Sequence, residues 1–124
     1  METWDIPADM TFQPPNGVIL QARAPQNSPW FDGHFPGQPI LPGIALISLV
    51  KKGIRFFGEK QKLNFQHFGI RKARFTLPIR PGDAFEISLL CRVSEGKLVA
   101  SFKIHFKGEM AGNGIAEASC ASES

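Results

Sequence analysis

The clearest pattern along the chain is a pair of alternating runs. Between positions 85 and 93, Phe85, Ile87, Leu89, Cys91 and Val93 occupy every second place. Between 98 and 106, Leu98, Ala100, Phe102, Ile104 and Phe106 do the same, opposite Lys97, Ser101, Lys103, His105 and Lys107. A period of two puts each apolar set on one face of an extended segment, so two half-buried strands are predicted. Ser94-Glu95-Gly96 between them predicts a tight hairpin. A last strand is expected over about 114–121. Leu63 to Phe75 is rich in strand-forming residues, with Gly69 as a bulge or bend. Pro78 to Asp83, Pro-Ile-Arg-Pro-Gly-Asp, reads as a turn. Val18 to Ala24 reads as an earlier strand. Pro and Gly cluster on either side of it, at 14–17 and 25–43, so much of the first third is expected to be loop.

One stretch has a different period. From Leu41 or Pro42 the chain runs through Ile44-Ala45-Leu46-Ile47-Ser48-Leu49-Val50 and on to Phe57. Its length suits a helix, Pro42 and Gly43 suit its start, and Gly58 suits its stop. The first two turns are apolar nearly all round, which predicts burial on most sides. Lys51 and Lys52 would lie toward the far end, where the helix dipole favours cations. One buried helix followed by an antiparallel meander is an α+β arrangement. At 124 residues it fits a single domain, with a core over about 17–121.

Composition changes this picture little, but charge adds to it. Hydrophobic residues make up 43% and charged residues 20%, the proportions of a water-exposed globular protein. The first ten residues carry Glu2, Asp5 and Asp9 and no cation, unlike a signal peptide, so a cytoplasmic location is expected. The formal net charge of +3 hides an asymmetry. Lys51, Lys52, Arg55, Lys60, Lys62, Arg71, Lys72, Arg74 and Arg80 face a single acid, Glu59, between 51 and 80. A basic field of this kind suits an anionic partner or is simply a solvated face. Nucleic acid is disfavoured, because the one strong helix is apolar and no recognition motif is present. Cys91 and Cys120 lack metal-ligand spacing and read as small core residues. His67 and His105 read as strand-face residues. No cofactor or metal site is expected, and no GxGxxG, P-loop or HExxH pattern occurs.

The candidate chemistry lies in Trp30-Phe31-Asp32-Gly33-His34-Phe35-Pro36-Gly37-Gln38-Pro39-Ile40-Leu41-Pro42-Gly43. A histidine held among glycines and prolines, just before a helix N-terminus, pairs a base with unpaired backbone N–H groups. Those are the parts needed to remove a proton α to a carbonyl.

The eleven residues Gly33 to Gly43 closely resemble the active-site motif of β-hydroxyacyl-(acyl carrier protein) dehydratases of the FabZ and FabA kind. Phe68-Gly69-Ile70-Arg71-Lys72-Ala73-Arg74-Phe75, followed by Pro78 and Arg80-Pro81-Gly82-Asp83, resembles a second landmark of that family. The similarity covers about 17–121. It implies a hot-dog fold, in which a curled antiparallel sheet wraps one central helix. It also implies 3-hydroxyacyl thioester dehydration to a trans-2-enoyl thioester, with His34 as the base and the Gly43 N–H as oxyanion donor. Phe35, Gly37 and Pro42 would contact substrate, and Arg71, Lys72 and Arg74 would meet an acidic acyl carrier protein. A homodimer or higher homo-oligomer is implied, with acyl carrier protein or acyl-CoA thioesters as substrates.

One position departs from the family. Its members carry Glu or Asp on the central helix fourteen residues after the motif histidine, and that place here is Ser48. Three readings follow: Ser48 positions water while His34 moves both protons; another acid, Asp32 or Glu59, takes over; or the protein binds acyl thioesters without dehydrating them, or hydrolyses them as a hot-dog thioesterase.

Overall fold

The computed structural model describes residues 4–32 and 39–120. Among them, six strands form one antiparallel sheet, crossed by one long helix. In chain order these are β1 (Ala8–Gln13), β2 (Gly17–Arg23), α1 (Gly43–Gln61), β3 (Phe65–Phe75), β4 (Ala84–Ser94), β5 (Lys97–Phe106) and β6 (Glu109–Cys120). The sheet order is β1-β2-β4-β5-β6-β3, so β1 and β3 are its two edges.

The alternating runs form strands in the expected register. Ile87 sits opposite Ile104, Leu89 opposite Phe102 and Cys91 opposite Ala100. All six side chains are buried. The β4–β5 turn is the two residues Glu95 and Gly96, both left-handed, and Lys107–Gly108 repeats that geometry between β5 and β6. Paired left-handed residues match the twist of the strands they join. β6 therefore begins at Glu109, five residues earlier than the apolar pattern predicts, because the hairpin hydrogen bonds set its start. β3 carries the expected irregularity, with register shifts between Gln66 and Gly69 and between Ile70 and Lys72.

The alternation also held a strand that pattern reading passed over. Ala8, Met10 and Phe12 are half-buried, and Asp9, Thr11 and Gln13 face water. β1 thus pairs with β2 from Gly17 to Ala22. Its signal was weak because one of its inward residues is only an alanine.

The helix packs its Ala45, Leu46, Leu49, Val50, Ile54 and Phe57 side into the sheet, against Leu20, Leu89 and their neighbours. Two expectations about it need correcting. It runs past Gly58 to Gln61 and ends at Lys62, whose left-handed backbone closes it. Gly58 is not a stop signal but a point of close approach. A Cβ there would come within 2.6 Å of the Leu63 carbonyl and 2.9 Å of the Phe65 ring. Lys51 and Lys52 consequently sit in mid-helix, and Lys52 pairs with Asp5 instead of meeting the dipole. The first two turns are largely covered, with Ala45, Leu46, Leu49 and Val50 buried and Gly43, Ile47 and Ser48 half-buried. Ile44 stays 64% exposed.

Gly58→Ala raises intrinsic helix propensity by about 1 kcal/mol. Overpacking of the αβ corner outweighs this, so a net loss of about 1–2 kcal/mol is expected. Urea denaturation of the two proteins measures it.

Candidate active site at the start of the helix

The helix begins where Pro42 turns the chain. Pro42 is extended and offers no side-chain cap, and the first helical bond runs from the Ala45 N–H to the Pro42 carbonyl, 2.9 Å. The N–H of Gly43 belongs to the first turn, whose amides an α-helix leaves without internal partners. They carry the positive end of the helix dipole. Phe75, the last residue of β3, lies across Gly43. A Cβ on Gly43 would collide with that ring, with Cδ2 at 2.8 Å. Glycine at this position is therefore what admits an aromatic wall against the first turn. Phe75 is 39% exposed, and with Ile44 it leaves an apolar surface at the helix start.

Both arms of the loop that leads here are tied to one turn. On the incoming side, the Ala24 N–H donates to the Asp83 carbonyl and the Gly82 N–H donates to the Ala24 carbonyl, each at 2.8 Å. On the outgoing side, the Leu41 N–H donates to the Ile79 carbonyl at 2.7 Å. The turn is stiffened by Asp83, whose carboxylate accepts from the Arg80 N–H at 2.8 Å. The Pro-Ile-Arg-Pro-Gly-Asp turn is thus the base on which the motif loop stands.

Of the site residues expected from sequence, Gly43 and Pro42 meet at the helix start. Gly33, His34, Phe35 and Gly37 lie outside the described residues. Ser48 lies on the open side of the helix with Ile44 and Ile47, half-buried. Its hydroxyl donates to the Ala45 carbonyl at 2.6 Å. A hydroxyl has one proton to donate, and this one is held within its own helix. Asp32 is exposed just after a short 3₁₀ turn, Pro29–Phe31, and its N–H closes that turn on the Pro29 carbonyl. Glu59 is exposed about 24 Å along the helix from Gly43, out of reach of the same site.

The basic segment divides. Arg71 is ion-paired with Glu117 of β6, Nε to Oε2 2.6 Å. Lys72 and Arg74 have no ion pair among the described residues, and they share the sheet's outer face with Lys103. Lys72 and Lys103 border a recess of about 310 Å³ with Ser101, Asn113 and Ile115. Lys103 was absent from the sequence expectation, because only strand register brings β5 beside that part of β6 and β3. A recess of about 710 Å³ also opens on the outer face, around Asp9, Gln21, Glu86 and His105. These are directly opposed residues on four adjacent strands, and none of the expected site residues lines it.

His67 is exposed at the β3 bulge with a left-handed backbone, and His105 is half-buried on β5. No group of three metal-ligating side chains occurs among the described residues. Cys91 is buried, and burial pushes its thiol up to about 12, which suits a core residue and not a nucleophile. Cys120 is free and half-buried. No helix among the described residues is long and apolar enough to cross a membrane.

A curled sheet about one helix, with a candidate site at the helix start, defines the hot-dog class. Solved structures agree on the fold. A chain of the dehydratase heterocomplex ApeI:P from Xenorhabdus doucetiae matches with a TM-score of 0.65 and 21% identity, over 94% of this chain and 99% of that one. The PaaI protein of Escherichia coli matches with a TM-score of 0.72 and 15% identity, over 90% and 82%. The chain belongs to the ApeI-like dehydratase family, whose model, described as ApeI dehydratase, matches residues 11–115. Its sequence is 34% identical to the 3-hydroxyacyl-acyl-carrier-protein dehydratase FabZ of Chlamydia trachomatis over 76 residues, 56% of this chain and 50% of that protein. It is also 34% identical to FabZ of Syntrophotalea carbinolica over 90 residues, 68% and 61%. The chain thus spans about half the length of the curated relatives it matches.

The Cys91 thiol titrates higher folded than unfolded, from an ordinary value of 9.0 to about 12. Between those values the unfolded chain loses a proton that the folded one keeps. This contribution to stability is therefore complete below pH 9 and falls as pH rises toward 12. Urea midpoints at pH 8 and pH 10.5 are expected to fall less in Cys91→Ala than in the parent.

Proposed function

We propose that the protein is a hydro-lyase that removes water from a 3-hydroxyacyl thioester to give a trans-2-enoyl thioester. The observation that carries this reading is the helix start: a first-turn Gly43 amide, which the helix itself leaves without a partner, beside an apolar wall, at the end of the loop that bears the motif histidine. Membership of the ApeI-like dehydratase family supports it. His34 takes the α-proton as the thioester oxygen gains charge, and the Gly43 N–H donates to that oxygen. Phe35, Gly37 and Pro42 flank the bound acyl group. The Cα–Cβ double bond then forms as the Cβ–O bond breaks. The leaving hydroxide takes the proton back from the His34 imidazolium, and water departs. Protons balance with His34 alone.

That closed cycle accounts for Ser48. A hydroxyl already donating to Ala45 is poorly placed to protonate a leaving group. Asp32 keeps the geometry of a turn-ending residue. The alternative, an acyl-thioester-binding protein or a hot-dog thioesterase, is distinguished by turnover. The acyl group arrives on a carrier protein or on coenzyme A. Lys72 and Arg74, with Lys103, offer the free charge for an acidic carrier, and Arg71 offers less because Glu117 holds it. A second copy of the chain completes the site along β3. That strand is an open sheet edge, and Ile70 and Phe75 on it are exposed.

Purified protein given 3-hydroxyacyl and trans-2-enoyl thioesters should interconvert them, followed by enoyl absorbance. His34→Ala should lose at least about 10²-fold in turnover. Unchanged activity in that variant removes His34 from the chemistry. Binding without turnover in the parent, or thioester hydrolysis, favours the alternative.

Ser48→Ala should keep turnover within about threefold, because the donor it removes serves only the helix. A loss above about 10²-fold would return Ser48 to the site as an acid.

Lys72→Glu with Arg74→Glu should raise KM for carrier-linked substrate. The same pair should leave KM for a short soluble thioester unchanged, since that substrate presents no acidic surface.

A further inference from the structure

Ahead of β1, residues Trp4, Asp5 and Ile6 make contacts that the proposed reaction does not use. They reach two elements far away in sequence. The Trp4 carbonyl accepts a hydrogen bond from Trp30 Nε1 at 2.7 Å. The two indole rings meet edge to face, with centroids 4.7 Å apart at 86°. On the other side, the Asp5 carboxylate pairs with Lys52, and Lys52 also donates to the Ile6 carbonyl at 3.4 Å. Ile6 itself is 1% exposed, sunk in the core. The segment is thus pinned to α1 at one end and grips Trp30 at the other.

What it grips is the run-in to the motif. Trp30 lies on the Pro29–Phe31 turn, and its N–H donates to the Ser28 hydroxyl that caps the turn, at 3.2 Å. Gly33 and His34 follow within four residues. What it is pinned to is the helix that presents the Gly43 amide, about 13 Å away along α1 from Lys52. Trp30 packs against the core, but core filling does not explain Trp4, which is 58% exposed and gains little from burial. A ring held at the surface by a directional N–H···O bond and an edge-to-face contact is fixed in orientation.

We propose that Trp4–Ile6 is a clasp that fastens the Pro29–Phe31 turn, which leads into the motif, to the helix carrying the Gly43 amide, with Trp4 and Trp30 as positioning residues for His34. The proposal rests on His34 acting as the base. Base and oxyanion donor come from different elements, and a misplacement of about 1 Å between such groups costs up to about 10²-fold in rate. The brace therefore acts on turnover and not on substrate affinity.

The test compares the parent with Trp4→Ala, Trp4→Phe and Trp30→Phe by hydrogen exchange and by thioester kinetics. Trp4→Ala removes the ring, Trp4→Phe restores an aromatic edge, and Trp30→Phe removes only the N–H donor and part of the ring. In Trp4→Ala, peptides covering 29–40 should exchange about tenfold faster while β4 and β5 stay unchanged. Its kcat should fall about tenfold with KM within about twofold. Trp30→Phe should move the same way by less, and Trp4→Phe should recover most of both effects. The proposal is overturned by unchanged exchange over 29–40, by faster exchange spread evenly through β4 and β5, or by faster loop exchange with unaltered kcat. A parent without dehydratase turnover would sink the function proposed above, and the exchange comparison would then decide the clasp by itself.

Discussion

The structure depends on the burial of one helical stripe. Ala45, Leu46, Leu49, Val50, Ile54 and Phe57 leave water together only because the sheet curls around them. Each large side chain of this kind contributes about 1.5–3 kcal/mol when buried. The sheet in turn has no other apolar body to close on. Its inward residues, from Val18 on β2 to Ala118 on β6, need the helix as much as the helix needs them. This mutual burial fixes where the first turn of α1 emerges, and so fixes where a carbonyl oxygen could be held.

Much of this was legible in the sequence, for identifiable reasons. β4 and β5 alternate without exception over their buried stretches, so period two revealed both strands and their hairpin. The start of α1 was equally plain, because Pro42 and Gly43 precede an unbroken apolar run. Its end was not. Gly58 carries the same local signal whether it halts a helix or lets the returning strand pass close, and only the position of Phe65 decides between them. β1 was missed because Ala8 contributes little hydrophobicity to its pattern.

The site was legible in its residue types and less so in its contacts. Gly33 to Gly43 marked a candidate location, and of that stretch the helix start at Gly43 stands where the sequence predicts it. Sequence could not reveal that the Ser48 proton is held by Ala45, since the same serine could equally have faced outward with a free hydroxyl. It could not separate Arg71 from Lys72 and Arg74, because the β3 bulge decides which side chain meets Glu117. The Trp4–Trp30 pair was likewise invisible, as its members are twenty-six positions apart and neither belongs to a periodic element.

The stitching of Ala24 and Leu41 to the Ile79–Asp83 turn has a wider consequence. A long loop ordinarily loses chain entropy when its ends are brought together. Here the ends are fastened at the base, so the closure is made by the framework and not by the loop's own contents. Apart from Ser28, Trp30 and Phe31, which are buried or packed against the core, residues between the two fastenings can then change in identity or number with little effect on whether the chain folds. The scaffold and the reactive segment are separable in this sense, and new chemistry can be tried in the loop while the sheet and helix keep the fold.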